Sequence, residues 1–204
     1  MKLYCWPVAP NPTKVLIYLA EKGLELELER VNLVKGEHRS EQFAGLNPRK
    51  LLPVLELDDG SHLTESLAII EYLEELSPEP SMWGATPEQR AQARSLERLA
   101  DGGVLVPIGH QVHATRSPVG YPPNPAVAEY MRGRMEGPLR VLEAALGRHD
   151  FVAGDRPTVA DCTLYAGLAF GKFFQIEIDP GFAHVAAWFE RFGQRPSALA
   201  GRRR

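Results

Sequence analysis

Asn47-Pro48-Arg49-Lys50-Leu51-Leu52-Pro53 and, about a dozen residues on, Thr64-Glu65-Ser66 are the stretches whose joint reading decides the fold of this 204-residue chain. The first ends in an X-Pro bond, the kind of peptide bond that adopts cis at modest cost. The Val54-Leu55-Glu56-Leu57 segment behind it reads as a strand. The second opens an amphipathic stretch and so sets an acid and a hydroxyl at a helix N-terminus. A helix start leaves backbone N–H groups unpaired and carries partial positive charge, which suits a carboxylate. Glu65 beside it suits an ammonium. The pair can hold both ends of an amino-acid head group.

The flanking sequence supplies an α/β unit. Leu3-Tyr4-Cys5-Trp6 reads as a strand, and Asn11-Pro12-Thr13-Lys14 opens a helix that ends at Gly23. Asn11 is the expected N-cap, with Pro12 in the first turn. Glu27 to Val31 alternates weakly and fits a second strand. Lys35-Gly36-Glu37-His38 is a turn into a short helical piece ending near Gly45, and Asp58-Asp59-Gly60 closes a hairpin. Leu67, Ile70, Leu73 and Leu76 recur at three-residue steps, so the helix after Ser66 is expected to pack that face inward. Ser77-Pro78-Glu79-Pro80-Ser81 ends it.

Beyond this linker the chain reads as helix throughout. Thr86-Pro87-Glu88-Gln89 is a capping box. The helix it opens runs to about Thr115, with bends expected at Gly102-Gly103 and Pro107. Residues 118–125 form a loop. Val127, Met131, Met135, Leu139, Leu142 and Leu146 mark the apolar face of the next helix, where Pro138 should introduce a kink. Thr158 and Asp161 cap another helix, in a buried and structural role.

These segments, in this order, resemble the cytosolic glutathione S-transferase family, with bacterial-type, theta- and nu-like features. The strand, helix and hairpin look like its thioredoxin-like half. Gly154-Asp155-Arg156-Pro157-Thr158-Val159-Ala160-Asp161 looks like the buried cap of its helical half, and Trp188-Phe189-Glu190-Arg191 with Arg195-Pro196-Ser197 like its closing helix. The resemblance covers residues 2 to about 200. It implies an α/β thioredoxin-like N-terminal domain plus an all-α C-terminal helical bundle. The glutathione-binding domain is expected over residues 1–77, and the domain forming the acceptor pocket over 86–204.

Composition agrees with such a chain. An apolar fraction of 44% and a charged fraction of 24% are ordinary for a globular protein. No apolar run approaches the roughly 20 residues that span a bilayer, and the first residues lack a secretory-signal layout. A net charge of −3 argues against nucleic acid as a partner. Residues 1–80 carry 8 basic and 14 acidic side chains, whereas 81–204 carry 15 and 12. That change of sign places a domain boundary near residue 80. Arg202-Arg203-Arg204 is expected to be a solvated tail. Cys5 and Cys162 sit one in each half without CxxC spacing, as reduced structural thiols of a cytoplasmic protein.

The resemblance also assigns a site. Glutathione would enter as co-substrate, with its cysteinyl backbone on the main chain of Leu52 before a cis Pro53, like an added strand. Its γ-glutamyl group would meet Glu65 and Ser66, and its glycine carboxylate His38 and Lys50. Asp101 resembles an aspartate that reaches across a dimer to the γ-glutamyl ammonium. Catalysis needs a thiolate, and a helix N-terminus or nearby donors lower a thiol pKa. Ala9 stands where many members carry a serine and has no donor. Asn11, two residues on, offers an amide and is the expected activating residue. Val8, Gln111, Val112 and Thr115 are expected to face the acceptor pocket. Phe170, Phe173 and Phe174 are candidates for its wall, although such clusters are usually core. His110 and His113 lie three apart with no third ligand in register, so no metal is expected.

The reading is therefore a detoxification-type enzyme joining the glutathione thiolate to a small electrophile. It is expected to be a homodimer, without nucleic-acid or membrane partners. The alternatives are a glutathione-dependent disulfide reductase, since no protein thiol is needed, and a non-catalytic glutathione-binding module.

Overall fold

The structure is a computed structural model, and it describes residues 1–200. The arginine tail at 202–204 lies outside the described residues. The chain opens with β1 (Lys2–Cys5), α1 (Pro10–Lys22) and β2 (Glu27–Arg30). A 3-10 turn (Glu37–Arg39) and α2 (Glu41–Leu46) follow, then β3 (Val54–Glu56), β4 (His62–Thr64) and α3 (Ser66–Leu76). The strands form one mixed sheet in the order β2-β1-β3-β4. β1 runs parallel to β2 and antiparallel to β3, with Leu3 opposite Leu28 and Leu55.

The second half holds α4 (Pro87–Ala100), a π-helical turn (Asp101–Leu105), α5 (Val106–Arg116), α6 (Pro125–Leu146), α7 (Val159–Phe173), α8 (Ala183–Phe192) and α9 (Pro196–Ala200). The expected capping box is present at Thr86, and a π-helical turn stands at Gly102-Gly103, where a bend is expected from the sequence. Gly103 is required there because a Cβ would stand 2.5 Å from the Cβ of Pro138 on α6. Glycine thus lets the irregular turn lie directly against a proline within the neighbouring helix.

α1 and α7 are each buried over most of their length. Helices apolar on all sides belong in an interior, and these two sit against each other at the centre of a core drawn from both halves. A smaller cluster of Val31, Phe43, Leu52 and Val54 forms a separate core. One expectation needs correction. The inward face of α3 is made by Ile69, Ile70 and Leu73, while Leu76 is 54% exposed. Leu76 belongs to the last turn, where the chain leaves for the linker.

Asp161 closes the helical half. It is fully buried and accepts from Val152 N–H at 2.9 Å, Thr158 N–H at 2.9 Å, the Thr158 hydroxyl at 3.0 Å and Trp188 Nε1 at 3.2 Å. Burial pushes its carboxyl up to about 6 against the pull of these donors. The cap of α7, the turn before it and Trp188 of α8 meet on one side chain. Removing it orphans several buried donors at once. Asp161→Ala should therefore lower stability by at least about 3 kcal/mol in urea denaturation.

Candidate functional site

The Leu52-Pro53 bond is cis, as its sequence setting predicts. Among the described residues, neither the N–H nor the C=O of Leu52 has a hydrogen-bond partner, although the Leu52 side chain is buried. β3 begins at Val54, which pairs with Thr64 on β4. That register brings Leu52-Pro53 opposite the start of α3. Glu65 holds the N-cap position with φ at +67°, and Ser66 begins the helix, buried. The carboxylate of Glu65 is exposed and ion-paired with Arg49. Arg49 escaped the sequence reading, although it stands inside the motif that carries the proline.

α1 delivers the next group, with a correction. The helix starts at Pro10, its N-cap is Ala9, and Ala9 has no side chain that can cap. Asn11 is therefore the second residue of the helix and not its cap. Pro10 and Pro12 have no N–H to satisfy, so the amide of Asn11 is not consumed by capping. Its Oδ1 accepts from the Ser66 hydroxyl at 3.2 Å, and among the described residues its Nδ2 donors have no partner. Thr13 holds the preceding loop by donating to Pro7 C=O at 2.5 Å and Ala9 C=O at 2.9 Å. The sequence reading missed this role.

His38 and Lys50 lie near enough to one another for the Lys50 charge to act on the His38 ring. Nδ1 of His38 is buried without a partner, and Lys50 Nζ donates to Arg39 C=O at 3.0 Å. Burial first, then Arg39 and Lys50, lower the His38 pKa, so the ring is neutral at pH 7.

Other expected residues lie elsewhere. Asp101 is held within its own chain, by Lys14 at 3.0 Å and Arg98 at 3.1 Å, so a cross-subunit contact would compete with two partners. Lys14 is 1% exposed and also faces the fully buried Glu97 at 3.5 Å. Gln111 and Val112 are not in the lining of the cavity between the β1–α1 loop and α7. They are buried in the helical half, with Gln111 against Met135 of α6, because the inward face of α5 points at α6. Thr115 is exposed and bonded to Gln111 C=O at 2.7 Å. His113 Nδ1 meets the Ser117 hydroxyl at 3.2 Å. Among the described residues, no group of three or more His, Cys, Asp or Glu is placed to hold a metal ion.

A cavity of about 610 Å³ lies between the loop after β1 and helices α7 and α8. Trp6, Pro7 and Val8 form one wall, and Phe170, Phe173 and Phe189 form much of the other. Arg30, Lys172 and Glu190 stand among its lining. Of the expected acceptor residues only Val8 belongs to it. Phe170 and Phe173 join from the aromatic cluster, whereas Phe174 does not. The wall comes from α7 and α8 and not from α5.

A thioredoxin-like sheet with a cis-proline groove, joined to a helical bundle across an apolar cleft, defines a glutathione-binding enzyme class. The comparisons agree. The model of the glutathione S-transferase N-terminal domain matches residues 8–76, and that of the C-terminal domain matches 105–196. The chain is 32% identical to Glutathione S-transferase 2 of Saccharomyces cerevisiae, covering 97% of this chain and 87% of that protein. It is 32% identical to a maleylacetoacetate isomerase of Pseudomonas aeruginosa, covering 88% and 85%. The crystal structure of a glutathione S-transferase domain-containing protein from Marinobacter aquaeolei superposes with a TM-score of 0.88 at 37% identity, covering 97% of this chain and 99% of the other. The chain belongs to the glutathione S-transferase family. It is a glutathione-dependent enzyme, and among its described residues no helix is long and apolar enough to cross a membrane.

Neither cysteine takes part in the groove. Cys5 and Cys162 are fully buried and unpaired. Burial pushes the Cys5 thiol up to about 11, only partly opposed by Arg30, and raises Cys162 as well. The thiolate fraction of both is negligible at neutral pH. A thiol reagent at pH 7.5 should label neither cysteine in the folded protein and both after denaturation. Rapid labelling of the native chain would overturn this assignment.

Proposed function

We propose that this enzyme joins the sulfur of glutathione to a small electrophile seated in the cavity beside the β1–α1 loop. Residues 1–77 serve as the glutathione-binding domain and 86–204 supply most of the acceptor wall. The observation that carries the reading is the Asn11–Ser66 hydrogen bond at 3.2 Å, with Leu52-Pro53 and Glu65 on the same rim. One amide oxygen of Asn11 is anchored, so its N–H donors have a defined direction. Donors fixed in advance stabilise a thiolate without reorganising when charge develops. Asn11 is neutral at every accessible pH, so it favours the anion by hydrogen bonding alone.

In this reading the γ-glutamyl group lies between Glu65 and the start of α3, and the cysteinyl amide pairs with Leu52. The glycine carboxylate approaches Lys50 and the unpartnered nitrogen of His38. The thiol releases its proton to solvent and the thiolate attacks the acceptor carbon. The new S–C bond forms as the leaving group departs with its electron pair. The protein contributes thiolate stabilisation and placement of the two reactants. We assign the enzyme to the cytoplasm as a homodimer, with Asp101 at the subunit boundary.

Calorimetry with glutathione should show uptake, and Glu65→Gln should weaken it about tenfold through loss of a charge-assisted contact. Asn11→Ala should raise the pKa of the bound thiol by about one unit and lower kcat roughly tenfold, read from the pH profile of 1-chloro-2,4-dinitrobenzene conjugation. An unchanged profile removes Asn11 from catalysis. Turnover of a small mixed disulfide but not of the chloroarene would replace the transferase with a reductase. Glutathione uptake with neither activity would leave a binding module.

A further inference from the structure

Arg30 ends β2, the exposed edge strand of the sheet, and is one of the residues that line the cavity. Three charged residues belong to that lining, and two of them neutralise each other. Lys172 Nζ donates to Glu190 at 2.8 Å and lies 5.3 Å from the centre of the Phe189 ring. The guanidinium of Arg30 has no hydrogen bond or ion pair among the described residues. The remaining surroundings are mostly apolar and aromatic, with Trp6, Pro7 and Val8 on one side, Phe170 and Phe173 on the other, and Thr13 and Gln194 as uncharged polar members. An apolar cavity with a single unmatched cation is electrostatically incomplete. Its natural complement is a flat apolar body carrying one anionic group.

We infer that Arg30 is a specificity-determining residue that anchors acceptors bearing a carboxylate. Guanidinium and carboxylate match in geometry, since two parallel N–H donors meet two oxygens. Lysine 172 cannot take this role without giving up Glu190. Phe173, which is 61% exposed, supplies an aromatic face at the cavity wall on which a conjugated or aromatic acceptor can lie. The anchor would orient the acceptor within the cavity, whose Val8 wall is three residues from Asn11 in the chain. This inference rests on the proposed acceptor cavity but does not require that the enzyme turn the acceptor over.

The test separates binding from chemistry. The unreactive pair 3,5-dinitrobenzoate and 1,3-dinitrobenzene is titrated into the full-length protein by calorimetry. The pair 4-chloro-3,5-dinitrobenzoate and 1-chloro-2,4-dinitrobenzene is assayed with glutathione. In each chlorinated acceptor the S–C bond forms as chloride leaves. The wild type should prefer the unreactive benzoate about fivefold, a modest factor because Arg30 is solvent-exposed. Arg30→Leu should abolish that preference and raise KM for the chlorinated benzoate, with little change in kcat, by a larger factor than KM for 1-chloro-2,4-dinitrobenzene. Arg30→Lys should restore part of it, and 0.5 M salt should weaken it. Equal affinity of the wild type for both unreactive compounds, or a preference that survives in Arg30→Leu, overturns the inference. No turnover of either chloroarene, with the binding preference intact, would defeat the transferase reading and leave the anchor standing.

Discussion

The burial of Lys14 is the constraint on which the rest of the structure depends. This ammonium sits on α1 with almost no access to water and faces Glu97 and Asp101 from the helical half. Arg98 bridges the same two carboxylates, and the Thr163 hydroxyl donates to Glu97 at 3.0 Å. Charge removed from water is tolerated only with partners and saturated hydrogen bonding. The cluster is therefore satisfied in one relative placement of the two halves. Asn11 stands three residues before Lys14 on the same helix, and Tyr18, one turn after it, donates to the buried Glu74 at 2.8 Å. α1 is held by charge from the helical half on one side and by α3 on the other.

The same arrangement explains why the helical half breaks regularity where it does. Asp101 opens the π-helical turn and points its carboxylate at Lys14, while Gly103 two residues later lets the turn settle on Pro138. Gly167 allows a similar approach, since a Cβ there would lie 2.9 Å from the Cα of Leu105. Small residues on α7 and in the irregular turn let backbones meet, and ionic contacts determine the register of the meeting. The closing helix is tied back in kind. Arg195 and Ser197 both donate to Glu21 at the end of α1, so α1 is clamped near both of its termini.

Much of the architecture was legible because it depends on local chemistry. The Thr86 and Thr158 caps, the Asp58-Asp59-Gly60 hairpin and the periodic apolar face of α6 each follow from a few adjacent residues. The candidate groove was partly legible for a similar reason. Leu52-Pro53 and Glu65-Ser66 belong to strand and helix ends joined by one short hairpin. The cap of α1 was misread because Asn11 is a strong capping residue in isolation, yet Pro10 already starts the helix and leaves Ala9 outside it. Leu76 was misplaced because a three-residue step drifts around a helix of 3.6 residues per turn and carries its last member to the surface.

The cavity between the β1–α1 loop and α7 marks where local reading ended. Its walls come from residues 6–8, 13, 30, 165–173 and 189–194, which no periodicity connects. Gln111 and Val112 had a suitable position in the chain, but packing against α6 turned them inward. By itself the sequence determined the elements, their caps and the groove motif, because these are set by backbone sterics and side chains within a few residues. Only the tertiary structure decided which face of each helix meets the cleft and which charges remain unpaired there. Those outcomes depend on the mutual burial of segments more than a hundred residues apart.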